Sequence, residues 1–265
     1  MSVLVSNRTL SRTEYAFKFV QLYDYSIQKL SHVPKRKQRW LCETIIEILN
    51  KTEYEIMQIS DQYFNYGIKL KDRASQAEEV IRDLLALQKP LLALWNIENY
   101  ETKKMVHWCS LIDDEIKLII RMSGLPAVNG KFMFILDYDA INKAEYVSNM
   151  CKLHKTIYGK AINLPNSVRV SKGYKLMSLA DEALFCVCLA SLNYPTDAET
   201  LKFRTEQLST ALNCVKQMQL PFFAIYNVMH YSEETMKEIS EMLSTEFKLL
   251  NGVLKSDKQR FADLT

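Results

Sequence analysis

The sequence contains no run of 18 or more apolar residues, so it carries no segment that reads as a membrane-spanning helix. It has no strong charge of one sign: 34 Lys and Arg stand against 31 Asp and Glu, a net charge of +3. Such a balance gives little of the long-range attraction behind nonspecific polyanion binding. The opening MSVLVSNRTLSR lacks the basic-then-apolar pattern of a signal peptide, and the chain is expected to be cytoplasmic. There is no Gly-rich phosphate loop, no serine elbow and no Cys/His pair at a spacing suited to chemistry, so no enzyme is expected and no cofactor is called for. Six cysteines fit reduced, buried thiols, and Cys186-x-Cys188 is too tight for a zinc clamp. Proline is scarce too, with six in all, yet one falls inside the apolar run QKPLLALWNIENY at 88–100.

That run is echoed at 219–231 by QLPFFAIYNVMHY, 131 residues later. The same offset, without a gap, places Glu14-Tyr15 on Glu145-Tyr146, Pro34 on Pro165, Arg73 on Arg204, Met105 on Met236 and Glu115 on Glu246. Twenty positions are identical at this offset. Apolar positions also match in type, with Ile45, Ile48 and Ile56 on Leu176, Leu179 and Val187. The chain reads as a tandem duplication, and a repeat of this kind governs the fold. No cysteine or histidine falls on its own kind at this offset, so a metal or catalytic site older than the duplication would have left pairs that are not there.

Within each copy the apolar spacing is helical. A first helix over about 12–31 carries Tyr15, Phe19, Leu22, Ser26 and Leu30 on one stripe, and its counterpart carries Tyr146, Met150, Leu153, Ile157 and Ala161. Pro34 and Pro165 separate it from a second helix, since proline suits a first turn and not an interior. A second helix over about 36–62, a third over about 71–97 and a fourth over about 101–122 follow. The predicted fold is therefore all-α: two tandem antiparallel four-helix bundles, residues 1–123 and 132–265, joined by a linker at 124–131 that holds Gly124, Pro126 and Gly130. The short runs VLV at 3–5 and FMFIL at 132–136 are candidates to pair as a small β-ribbon. Pro90 and Pro221 are expected to kink or break the third helix of each copy.

Two segments carry a recognisable pattern: YSIQKLSHVPKRKQRWLCETIIEILNKTEYEIMQIS, and RASQAEEVIRDLLALQKPLLALWNIENYETKKMVHWCSLIDDEIKLIIRMSG. A helix ends in a hydrophobic-Pro-basic turn. A long helix, an A-x-x-E-x-x-x-L-L helix and a final helix ending in hydrophobic-x-x-Met follow. Over about residues 12–122, and more faintly 143–253, this resembles the small four-helix bundle family that includes the accessory variability determinant of diversity-generating retroelements and proteins encoded in ribosomal-RNA intervening sequences. The resemblance implies a non-enzymatic protein that self-associates, binds nucleic acid through basic surface residues and binds a reverse transcriptase or related polymerase. Carried to this chain, it points to Lys35, Arg36, Lys37 and Arg39 after Pro34, and in the second copy to Arg169, Lys172 and Lys175. The chain departs from the family in its near-neutral charge, and in the fusion itself, since a ring of fused pairs holds an even number of bundles.

The cluster KRKQR at 35–39 is the one dense basic run, placed where backbone N–H groups at a helix start also favour phosphate. Of the aromatics that could stack on a base, Trp40, Trp95, Trp108 and Tyr226 among them, Trp40 beside the cluster is the best placed, whereas Trp95 and Trp108 match apolar partners and read as core. Asp113-Asp114-Glu115 could suggest a metal, but consecutive helix positions diverge, so the trio reads as a solvated face and no metal is expected. Two functions stand open at this point. One is an accessory protein binding RNA or DNA and a polymerase. The other is a scaffold that binds only protein.

Overall fold

The computed structural model describes residues 14–64, 70–98, 100–125 and 144–264, with the side chains of 35–39, 60–64 and 70–73 outside the description. The described chain is all-helical, with no strand among its residues. The runs at 3–5 and 132–136 considered for a β-ribbon lie outside the described residues. No helix among the described residues is long and apolar enough to cross a membrane.

The chain divides into two compact units. The first comprises Met1–Leu91 with Tyr100–Leu136, and the second Leu92–Asn99 with Asp137–Thr265. Unit 1 is built from α1 (Glu14–Leu30), α2 (Lys35–Phe64), α3 (Leu70–Ala86), the start of α4 (Gln88–Glu98) and α5 (Thr102–Ser123). Its core draws on Tyr15, Phe19 and Leu22 of α1, Ile45 and Leu49 of α2, Ile81 and Leu84 of α3, and Trp108, Ile112 and Ile116 of α5, all almost fully buried. These residues recur every three or four positions, which is why each segment folds as a helix with one face inward. Helix α5 ends on Gly124, whose φ of 69° lies in the left-handed region that glycine enters without a Cβ clash.

Unit 2 holds the remainder of α4, then α6 (Glu145–Ala161), α7 (Asn166–Val168), a π-helical turn (Arg169–Gly173), α8 (Tyr174–Leu192), α9 (Ala198–Met229) and α10 (Glu233–Arg260), which leads into a 3-10 turn, Ala262–Leu264. Helix α8 carries apolar residues around most of its surface, including Met177, Ala180, Leu184, Val187 and Cys188, and lies buried within its unit. Helix α9 starts on a reciprocal cap. The Asp197 carboxylate accepts from the Thr200 amide at 2.8 Å, and the Thr200 hydroxyl accepts from the Asp197 amide at 3.1 Å. The six cysteines form no disulfide, and all are buried.

Helix bounds recur at the 131-residue offset. Helix α1 spans 14–30 and α6 spans 145–161; α2 and α7 start at 35 and 166; α5 and α10 start at 102 and 233; α4 and α9 end at 98 and 229. The third helix breaks this agreement. At Pro90 the chain has already turned at Leu87, whose amide bonds to the Leu84 carbonyl, and a new helix begins at Gln88. Pro90 then sits in a first turn, where its missing N–H leaves nothing unpaired. At Pro221 no break occurs: α9 runs through the proline to Met229. The expected interruption is realised in one copy only.

Candidate functional site

The basic run opens helix α2, with Lys35, Arg36, Lys37 and Arg39 all in the first five residues. Their side chains lie outside the described set, so placement rests on the backbone: four cationic residues at the N-terminal end of a 30-residue helix. Trp40 is half-buried, and its carbonyl accepts from the Thr44 hydroxyl one turn on.

In the second half the basic residues diverge. Lys172 and Lys175 are exposed. Arg169 is half-buried on the π-helical turn and is turned onto the chain itself: Nη1 donates to the Ile162 carbonyl at 3.3 Å and Nη2 to Asn166 Oδ1 at 3.1 Å. Nearby, Gly173 is buried, and a Cβ there would stand 3.2 Å from Leu164 Cδ1. Arg169 thus ties the start of the α7–α8 stretch to the end of α6, and only the two lysines of this group face solvent.

Sequence reasoning passed over a polar cluster in unit 2. His154 of α6 is fully buried. Its Nδ1 lies 3.0 Å from Asn96 Nδ2, and its Nε2 lies 2.8 Å from Asp181 Oδ1. Asn96 Nδ2 also donates to the Cys151 carbonyl at 3.0 Å, so it is the amide's donor end that faces the ring. Nδ1 therefore accepts, and Nε2 carries the proton given to Asp181. The Tyr158 hydroxyl donates to the same carboxylate at 2.7 Å. Every member of this chain answers another, which makes it a positioning device for residues 92–99 and not an open chemical site. The offset holds a quieter version in unit 1: Tyr23 and Asn50 occupy the positions of His154 and Asp181, and the Tyr23 hydroxyl donates to Asn50 Oδ1 at 2.8 Å. The matching spacing was the signal available in sequence.

The reading of Asp113-Asp114-Glu115 as a solvated face needs correction at one residue. Asp113 and Asp114 reach the exposed Lys117 ammonium, at 2.8 and 3.8 Å. Glu115 is wholly buried, because it lies on the face marked by Ile112, Ile116 and Ile119. Its match Glu246 is buried as well, and neither oxygen of either carboxyl meets a hydrogen-bond partner. Burial pushes the Glu115 carboxyl up to about 9 and the Glu246 carboxyl up to about 8, so both are held as neutral acids at pH 7. Among the described residues no group of three His, Cys, Asp or Glu side chains could hold a metal ion.

Unit 2 also carries an open groove of about 480 Å³ between α9 and α10, lined by Lys216, Phe223, Met236, Ser240 and Phe247. The Lys216 ammonium stands 5.3 Å from the centre of the Phe247 ring, within cation–π range. Compared with protein-family models, curated proteins and solved structures, the chain matches none.

Proposed function

We propose that this chain is a non-catalytic accessory protein of two matched helical bundles that binds nucleic acid, RNA or DNA, and a reverse transcriptase or related polymerase. The observation that carries the nucleic-acid part is the position of Lys35, Arg36, Lys37 and Arg39 in the first turns of α2. There, side-chain charge and the unpaired N–H groups of a helix start favour phosphate together. Trp40 adds an aromatic face beside them, and Lys172 and Lys175 form a weaker second contact on the other half. The polymerase partner rests on the family resemblance alone.

A mobility-shift titration at 50 and 200 mM salt tests this. Four phosphate contacts weaken binding by about a hundredfold over that fourfold rise in salt. The quadruple K35A/R36A/K37A/R39A variant loses the shift while keeping its helical content. A variant that binds as well as the parent removes the reading, as does a parent that fails to bind at 50 mM salt.

One observation favours a second reading, a scaffold that binds only protein. Arg169, one of three basic residues that the second copy offers, is committed to the chain's own backbone, while large apolar side chains stand in solvent on both halves. Salt-insensitive binding partners and no mobility shift at any salt select this second reading.

A further inference from the structure

The groove between α9 and α10 opens where unit 1 is closed. At the 131-residue offset its residues Phe222, Met236, Ser240, Leu243 and Phe247 fall on Leu91, Met105, Cys109, Ile112 and Ile116, all of them buried. In unit 2 Phe222 and Leu243 are buried, Met236 and Phe247 are half-buried, and Ser240 is exposed. Positions that fill a core in one half thus line a space of about 480 Å³ in the other, a volume within the range of small-molecule sites.

Its chemistry is graded from end to end. Helix α9 ends at Met229 and α10 begins at Glu233, so Phe223 and Met236 stand near this turn and Lys216 and Phe247 stand at the far end. There the Lys216 ammonium lies 5.3 Å from the Phe247 ring centre. The helix from Met236 to Phe247 runs roughly 16 Å. Phe222 and Leu243 supply a buried apolar floor, edged by the exposed polar side chains of Gln219, Ser240 and Ser244. The described residues that line the groove include no acid, and among the described residues none pairs a negative charge with Lys216. A ring face is a weaker partner for an ammonium than a carboxylate is.

We infer that this groove binds a free long-chain monocarboxylate, a fatty acid. Its carboxylate meets Lys216, and its alkyl chain lies along Leu243 and Phe222 toward Phe223 and Met236. One cation at one end calls for one anionic head. The apolar side chains at the other end call for a tail without polar groups, and a narrow apolar floor between polar edges suits a single extended chain. The site involves none of the residues at 35–39, and it stands or falls apart from nucleic-acid binding.

Calorimetric titration of the full chain with dodecanoate tests it, with octanoate as the shorter probe and dodecyltrimethylammonium as the probe of opposite charge. Dodecanoate is expected to bind about tenfold or more tightly than octanoate, because each buried methylene adds affinity. It should also bind more tightly than dodecyltrimethylammonium. Lys216→Ala weakens dodecanoate by about fivefold, the scale of one exposed ion pair, and does not weaken dodecyltrimethylammonium. Ser240→Trp fills the groove from an exposed wall and abolishes binding. Circular dichroism and a cooperative melt establish that this variant folds, and Ser244→Trp repeats the test if it does not. Absence of dodecanoate binding at 1 mM overturns the inference, and so does equal binding of the two charges or unchanged binding by Ser240→Trp. A helical peptide of Leu and Glu that binds where dodecanoate does not overturns it in favour of a protein partner.

Discussion

Helix α1 leaves Val20 and Ile27 in solvent, while α6, of the same length and register, buries Cys151 and Tyr158 at the matching positions. The third helical stretch shows the reverse relation. Leu92 and Asn96 are buried, and Phe223 and Asn227 are not. Local sequence does not account for this, since QKPLLALWNIE and QLPFFAIYNVM share proline, alanine and asparagine in register. The difference follows from what each segment packs into. Residues 92–99 cluster with unit 2, and the break at Leu87 precedes them; residues 219–229 are the end of α9, which continues unbroken through Pro221. One sequence pattern thus supports an interrupted, buried form and a continuous, exposed one.

The largest effect is expected where the halves agree. Glu115 and Glu246 both hold their protons in the fold, to about 9 and about 8, whereas the ordinary value is 4.5. The folded chain binds these protons over a range in which the unfolded chain has released them. Their contribution is therefore complete below about pH 4.5 and is lost as pH rises, by on the order of 1 kcal/mol per unit per carboxyl. The loss ends near pH 8 for Glu246 and near pH 9 for Glu115. Denaturant melts at pH 5, 7 and 9 should show stability falling across the series. Glu115→Gln with Glu246→Gln should flatten the fall; an unchanged slope would refute the neutral-acid assignment.

The next effect lies where the halves differ. Helix α10 runs to Arg260, past the position matching the end of α5, and this extension supplies Asp257 and Phe261. Asp257 accepts from Arg204 Nε at 2.6 Å with both side chains nearly buried, and Arg204 also donates to the Ala190 carbonyl. Phe261 meets Tyr194 edge-on at 5.4 Å. Asp257→Ala leaves Arg204 without its counter-charge and should cost about 3–5 kcal/mol. A loss below 1 kcal/mol would mean that solvent already reaches the pair.

A smaller effect isolates the two asparagines. Asn96→Ala removes the donor to the buried His154 Nδ1, at a cost of about 1–3 kcal/mol. Asn227→Ala removes an exposed amide and should stay within about 0.5 kcal/mol in the monomer. Equal losses from the two would erase the contrast between the covered and the open segment.

Much of the helical layout was legible before any coordinates. The apolar stripes, Pro34 and Pro165 fix the boundaries of α1, α2, α6 and α7, and the offset carries each assignment from one half to the other. The break beside Pro90 was legible from the proline, whereas the continuity of α9 through Pro221 was not, because both prolines stand two residues after a glutamine and before an apolar pair. Arg169 was read as a surface charge, yet the π-helical turn places its guanidinium against the Ile162 carbonyl, a geometry that no spacing rule reports. Burial of Glu115 could have been found, since it lies three residues from Ile112, four from Ile119 and opposite an acid in the second copy. The basic cluster at 35–39 was legible both as composition and as a helix start after Pro34, and α2 opens at Lys35.

Thiol labelling tests the contrast between the covered and the open segment most directly, because the six native cysteines are buried. Leu92 is buried and its match Phe223 is half in solvent. In the native fold Phe223→Cys is predicted to react with a maleimide at close to the rate of a free thiol, whereas Leu92→Cys reacts only on unfolding. Equal labelling rates at the two positions would contradict the contrast.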